Sequence, residues 1–333
     1  MSDSPTQIPT VLVLNAAAVK TLLPMDACID VMSAALMALS RNEAASPLRT
    51  VIRMPAGAIA AMPAYYGATS TAGAKVVTAF PANPASGLAS HLGVVLLFDA
   101  TNGVLSTMVD ATAITAIRTA AVSAVATRAL AREDANVLAI VGTGAQAAAH
   151  VDAILAVRPI RSVRVVGRDA ARAATFIAHM EGRYSSEFIA SESVKHAVRD
   201  AHVICTVTSS RTPVVQGEWI SPGTHVNAVG ASVRDVRELD ASAVAMSRLY
   251  CDSRQSMLAE SGDFLFAKAE GAVDDSHIIG ELGDVLLGSV PGRTTRDEIT
   301  LFKSLGLGIE DVAAAHYVHQ RAVERGMGVQ VPF

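Results

Sequence analysis

An apolar run from Val137 to Val141 passes directly into Gly142-Thr143-Gly144-Ala145-Gln146-Ala147, and alanine-rich sequence follows. This pattern reads as a strand that turns on glycine and opens a helix, the arrangement of a dinucleotide-binding turn. Gly142 makes the tight turn, Gly144 lets the backbone approach a pyrophosphate, and Ala147 replaces the third glycine where helix packs on strand. The helix N-terminus then offers its free N–H groups to the phosphates. A second strand at 162–166 closes a βαβ unit of about 30 residues. The fold class expected is therefore α/β, with a Rossmann-type dinucleotide-binding domain.

The second strand ends in Val165-Val166-Gly167-Arg168-Asp169. An NAD-selective site places an acid there to hold the ribose 2′-hydroxyl. Gly167 stands at that position and Arg168 follows, which suits a 2′-phosphate. NADPH is the expected cofactor, with NADH usable. The alternative is an arginine that stacks on adenine or faces solvent.

With 333 residues, 51% of them hydrophobic and 17% charged, the chain has the length for two domains and the composition for extensive burial and an oligomer interface. A net charge of -4 leaves no electrostatic footprint for nucleic acid. Partners are expected to be small molecules and other copies of the chain. Cys28, Cys205 and Cys251 form no CxxC pair and no metal-ligand spacing, so they read as reduced structural thiols in a cytoplasmic protein, with no metal. The first ten residues lack a basic start and an apolar core, and no run of about 18 apolar residues is evident, so neither export nor a membrane partner is expected.

About 130 residues precede the glycine turn. Val11 to Leu14 reads as a short strand and Pro24 to Arg41 as an amphipathic helix. Strand-like pieces follow at 50–53, 58–62, 74–78 and 91–98, and a turn at Asp99-Ala100-Thr101-Asn102-Gly103 leads into another at 104–109. The front domain is thus mostly β, an α+β substrate and dimerisation domain. Asp110 caps an alanine-rich helix running to about Arg132. Further strands are expected at 203–206, 225–229 and 248–251, and a last helix at 310–325 leaves a tail that can return to the front domain. The expected division is 1–130 with 308–333, and 131–307.

Three cations of the front domain interrupt apolar sequence: Arg49 after Pro47-Leu48, Lys75 within Ala72–Phe80, and Arg118 inside the alanine-rich helix. A buried cation costs several kcal/mol unless it meets a partner or a ligand anion. Together they form a candidate anion cradle, in which arginine grips a carboxylate in a fork that lysine cannot make. Each also has a plain structural reading, as an edge-strand charge or a chain that snorkels to solvent. The acid pairs Asp274-Asp275 and Glu310-Asp311 read as solvated turns or helix N-terminal charges.

These segments resemble the ornithine cyclodeaminase and mu-crystallin superfamily along nearly the whole chain. The resemblance is carried by Met62-Pro63-Ala64-Tyr65, Gly73-Ala74-Lys75, Arg118-Thr119-Ala120-Ala121, Gly142-Thr143-Gly144-Ala145-Gln146, Asn227 to Ser232, Arg237-Glu238-Leu239-Asp240, Ser261-Gly262-Asp263 and Phe302-Lys303-Ser304-Leu305-Gly306. It implies that Arg49, Lys75 and Arg118 hold a substrate carboxylate. It further implies that Thr119, Ala145, Gln146, Thr206, Thr208, Val229, Gly230 and Ser232 line the cofactor side. Ser90 and His91 would lie near the nicotinamide, with the loop from Ser304 to Gly306 closing over it. A homodimer that pairs the front sheets is also implied.

The cyclodeaminases carry a substrate-contacting aspartate where this chain has Ser232. A neutral hydroxyl cannot serve as a carboxylate base or balance a cationic amine. Ser232 resembles instead the ketimine-reducing branch, which includes bacterial 1-pyrroline-2-carboxylate reductases. The implied reaction is NAD(P)H-dependent reduction of a cyclic imino acid to proline or pipecolate, with Lys75 placed to orient or protonate the ring nitrogen. An alanine dehydrogenase or cyclodeaminase activity, and an NADPH-binding protein without turnover, are the competing expectations.

Overall fold

The computed structural model describes residues 10–333. Residues 1–9, on which the export expectation partly rests, lie outside the described residues. Two compact units emerge: the chain through Arg118 together with Leu307–Phe333, and Thr119–Gly306. The division falls inside a helix, between Arg118 and Thr119, rather than at that helix's end.

The first unit opens with β1 (Thr10–Leu14), α1 (Ala16–Leu22) and α2 (Met25–Ser40), continues through β2 (Ala44–Ala45), β3 (Thr50–Met54), β4 (Gly57–Tyr66), β5 (Thr71–Ala79), β6 (His91–Asp99) and β7 (Leu105–Asp110), and leads into α3 (Ala111–Leu130). Sequence reading overlooks α1, a single short stretch that Asn15 starts by accepting the Ala18 N–H at 3.0 Å. Asp110 caps α3 as expected, accepting the Ala113 N–H at 2.7 Å.

In the second unit follow β8 (Val137–Val141), α4 (Ala145–Val157), β9 (Ser162–Val166), α5 (Ala170–Met180), β10 (Glu187–Ala190), α6 (Val194–Val198), β11 (Val203–Thr206) and β12 (His225–Ala228). After these come α7 (Ala241–Ala245), β13 (Arg248–Cys251), α8 (Arg254–Glu260), α9 (Gly262–Ala269), β14 (Ile278–Glu281), α10 (Leu282–Leu287) and β15 (Thr300–Lys303). The chain ends in the first unit with α11 (Gly308–Arg325) and β16 (Val329–Pro332).

The front sheet runs β16-β1-β7-β6-β5-β4-β2, with β3 pairing β4. The C-terminal tail thus returns to the front sheet, β16 lying antiparallel on β1 with Val331 opposite Val11. Strand β4 extends well beyond the piece legible in sequence, through Pro63. Proline is tolerated because β3 pairs only up to Ala61 and β2 only from Tyr65, so no strand needs a ladder donor there on that side. Helix α11 packs across β4, β5 and β6, with α2 against it. On β5 the covered face carries Thr71, Gly73 and Lys75 by simple alternation. Gly73 is needed there, since a Cβ would stand 2.8 Å from Val312 of α11.

The second sheet, β10-β9-β8-β11-β12-β15-β13-β14, is parallel throughout. Its strands are near-continuous apolar runs because helices cover both faces. The order around β8 and β11 is that of a doubly wound nucleotide-binding fold, with its switch point between those two strands. Helix α3 has the length and mean hydropathy to cross a membrane, although Arg118 and Arg128 interrupt its apolar sequence. Nearly three-quarters of its apolar stretch is buried inside the protein, the property of a core helix.

Candidate functional site

On the first unit, Lys75 and Arg118 come together as the sequence predicts, but not as an open cradle. Lys75 Nζ lies 2.7 Å from Asp311 Oδ2, with 4% and 0% of the side chains exposed. Arg118 donates from Nε to Asp311 Oδ1 at 2.9 Å and from Nη1 to Glu310 Oε2 at 2.5 Å. Asp311 therefore bridges the two cations. This corrects the reading of Glu310-Asp311 as solvated charges: both are buried and ion-paired. They do occupy a helix N-terminus, the first turn of α11, where the helix dipole favours anions. Gly308 lets that turn lie on β4, since a Cβ there would meet the Pro63 carbonyl oxygen at 2.8 Å.

The signal for this pair was present in the sequence. Two acids precede Val312-Ala313-Ala314-Ala315 in a helix whose first turn has no polar face to offer, and such acids must be buried with partners. Arg49, half-buried ahead of β3, lies close enough for its charge to act on Lys75. Burial pulls the Lys75 ammonium down to about 8, the Asp311 carboxylate opposes this, and Arg118 and Arg49 reinforce it. Desolvation is thus the main cause of the lowering, and the two arginines add to it.

His91 opens β6, the strand beside β5, and Ser90 immediately precedes it, on the same unit as Lys75. Ser90 Oγ and His91 Nδ1 are 3.0 Å apart. Packing around the ring and the Lys75 charge hold His91 below its usual range. Burial drives the Cys28 thiol, near Arg118 and Glu310, upward and leaves it inert.

On the second unit the glycine turn has the form its sequence demands. Gly142 adopts φ +123°, and a Cβ there would stand 2.7 Å from the Val207 carbonyl oxygen. That places the turn against the end of β11, at the switch point. Gly144 is the N-cap of α4, with no side chain closing the helix end and open space where its Cβ would be. Ala145 and Gln146 form the first turn of α4, and Thr119 is buried early in this unit's part of α3. The open helix N-terminus and the close backbone approach fit a pyrophosphate.

Thr206, Thr208 and Gly230 are drawn together by a residue the sequence named only as part of a motif. Glu238 accepts the Thr206 hydroxyl at 2.8 Å, the Thr208 N–H at 2.6 Å and the Gly230 N–H at 2.7 Å. Burial raises the Glu238 carboxyl, and the neighbouring Asp263 charge adds to this. Asp263 in turn accepts the backbone N–H groups of Glu238 and Leu239 at 2.8 and 2.9 Å and pairs with Lys303 at 2.9 Å. Val229 is buried beside this knot, its N–H on the Thr206 carbonyl. Ser232 is half-buried in the loop after β12.

The segment from Ser304 to Gly306 differs from the closing loop expected. It is wholly buried, and the Leu305 and Gly306 N–H groups are fixed on Asp252 Oδ2 at 2.6 and 2.7 Å. Arg168 is exposed at the end of β9, beside Asp169, whose side chain caps α5 by accepting the Ala171 and Arg172 N–H groups.

The chain belongs to the ornithine cyclodeaminase/mu-crystallin family, whose model matches residues 10–326. It is 40% identical to a ketimine reductase mu-crystallin of Mus musculus over 275 residues, 82% of this chain and 84% of that one. It is 34% identical to a Delta(1)-pyrroline-2-carboxylate reductase of Bacillus cereus over 325 residues, 97% of this chain and all of the other. Among solved structures it resembles the Thermococcus litoralis Delta(1)-pyrroline-2-carboxylate reductase in complex with NADH and L-proline, with a TM-score of 0.94 and 37% identity over 96% of this chain and 100% of that one.

Proposed function

We propose that this member of the ornithine cyclodeaminase/mu-crystallin family is an NAD(P)H-dependent reductase of cyclic ketimines, converting 1-pyrroline-2-carboxylate to L-proline and 1-piperideine-2-carboxylate to L-pipecolate. The observation that carries it is the buried, cation-rich cluster around Lys75 and Arg118, in a chain similar to enzymes named for this reaction; the family resemblance adds that Ser232 stands where the cyclodeaminases carry an aspartate.

In this reading Arg49 and Arg118 hold the substrate carboxylate and fix the ring, so that positioning supplies most of the rate. Arg49, Lys75, Arg118, Glu310 and Asp311 sum formally to one positive charge, which a single carboxylate balances. Gly142, Gly144, Ala145 and Gln146 hold the pyrophosphate, while Thr119, Thr206, Thr208, Val229, Gly230 and Ser232 line the path of the ribose and nicotinamide. Ser90, His91, Ser304 and Gly306 complete the nicotinamide side. The bound dihydronicotinamide supplies the hydride that the imine carbon receives. Lys75 supplies or orients the proton for the ring nitrogen. Near-normal turnover in Lys75→Met would remove it from that role.

NADPH is the preferred cofactor in this reading, because Gly167 offers no carboxylate to the 2′-position and Arg168 is exposed beside it. Arg168→Asp is expected to reverse the ratio of NADPH to NADH efficiency, and an unchanged ratio counts against the assignment. The three free, buried thiols fit a reducing, cytoplasmic setting. The test against an alanine dehydrogenase is NADPH oxidation with 1-pyrroline-2-carboxylate alongside pyruvate plus ammonia. Faster turnover with the imine supports the reading, and turnover only with pyruvate and ammonia contradicts it.

A further inference from the structure

We propose that Asp311 is the positioning residue that keeps the Lys75 amine protonated and aimed beside Arg118, so that Lys75 delivers the proton the ring nitrogen requires. This rests on the reading of the chain as a cyclic-imine reductase. The geometry carries it. One carboxylate reaches Lys75 Nζ with Oδ2 at 2.7 Å and Arg118 Nε with Oδ1 at 2.9 Å, so the group that would give the proton and the group that would hold the substrate carboxylate are fixed to the same side chain. The fixing is rigid, because Asp311 sits in the buried first turn of α11 and Lys75 in the middle of β5, covered by that helix. Glu310, next in the chain, touches Arg118 and so separates the two roles by sequence position.

The charged and titratable groups around Lys75 are Arg49, His91, Arg118, Glu310, Asp311 and, beyond Arg118, Cys28. Burial, Arg118 and Arg49 all drive the lysine toward the neutral amine, and Asp311 opposes them. A neutral amine has no proton to give at neutral pH, and a fully solvated ammonium gives it reluctantly; burial and the arginines pulling against the Asp311 ion pair leave the donor between these limits. In the step itself the imine carbon accepts the hydride and the C=N π pair collapses onto nitrogen. The Lys75 Nζ–H bond breaks as the ring N–H bond forms. Lys75 is left neutral until solvent returns a proton.

The experiment is the pH dependence of kcat at saturating cofactor and imine for the wild type, Asp311→Asn, Asp311→Glu and Glu310→Gln. The wild type is expected to lose activity on an alkaline limb as Lys75 deprotonates, near pH 8. Loss of an opposite charge at this distance moves such a limb by about 1–3 units, here toward acid, in Asp311→Asn. Glu310→Gln is expected to raise the imine KM with the limb unmoved. Asp311→Glu keeps the charge and keeps the limb while kcat falls; it stands in should the Asn variant not fold. Quenching of tryptophan fluorescence by NADPH, from the lone Trp219, reports whether each variant is folded and binds cofactor. A limb unmoved in Asp311→Asn, or displaced to acid in Asp311→Glu, overturns the proposal. A wild type that turns over no cyclic imine overturns instead the reading on which it rests.

Discussion

Arg118 shows how a charged residue comes to lie in an alanine-rich helix. Its guanidinium meets two buried carboxylates, and the pairing offsets a desolvation cost that neither acid could bear alone. Arg118→Ala leaves Glu310 and Asp311 with Lys75 as their nearby cation and is expected to cost roughly 3–5 kcal/mol. Calorimetry should then show a melting temperature lower by several degrees. Arg118→Lys, which keeps the charge but not the fork, should lose less. A second residue-scale expectation concerns His150 and His225, both buried and held neutral, down to about 4 and about 3. His150 Nδ1 lies 2.9 Å from the Gln146 carbonyl and so carries the proton, leaving Nε2 to accept from Ser123 at 3.0 Å. The unfolded chain protonates these rings below about pH 6.5 while the folded chain does not, so stability is retained above that pH and lost as pH falls toward 4. Two such rings contribute about 2–3 kcal/mol of loss by pH 5.5. Urea midpoints at pH 7.5 and 5.5 check this, and His150→Gln should show the smaller fall between them.

At the scale of elements, the sequence was most legible where local chemistry and tertiary role agree. The glycine turn, the capped α3 and the apolar parallel strands β8, β9, β11 and β13 could be read with near-correct bounds, because each is buried by its own pattern. Five strands escaped: β2, β10, β14, β15 and β16. They are short, and β10 is largely exposed, so no alternation marks them. The contacts of Glu238 and of the Glu310-Asp311 pair escaped for a different reason. Their partners lie on other elements, and sequence spacing carries no record of contacts such as Glu238 with Thr206 or Asp311 with Lys75. The end of α3 makes the same point. Helix α3 is not closed by a glycine; Arg158 caps it instead, donating to the carbonyls of Thr127, Arg128, Ala131 and Arg132 at 2.8–3.0 Å. Arg158→Ala is expected to cost about 1.5–3 kcal/mol, the range for hydrogen bonds from a charged donor, read as a lower urea midpoint with unchanged slope.

At the scale of the molecule, the front sheet leaves Val51, Ile52 and Met54 of β3 exposed, with Tyr65 on β4 and Leu92 on β6. Such apolar exposure is what a second copy of the chain would cover in the homodimer that the family resemblance implies. Light scattering of the purified protein should give twice the chain mass, and Ile52→Glu should shift it toward one. Ser232 and the Lys75 cluster are proposed to make this chain a reducer of cyclic imines and not a deaminating cyclase. Two assays in parallel decide this: NADPH oxidation with 1-pyrroline-2-carboxylate, and proline and ammonia formation from ornithine with NAD, a redox-neutral conversion read by its products and not by the cofactor. Rapid imine reduction with ornithine inert is the predicted result; proline and ammonia from ornithine, with the imine untouched, would contradict it.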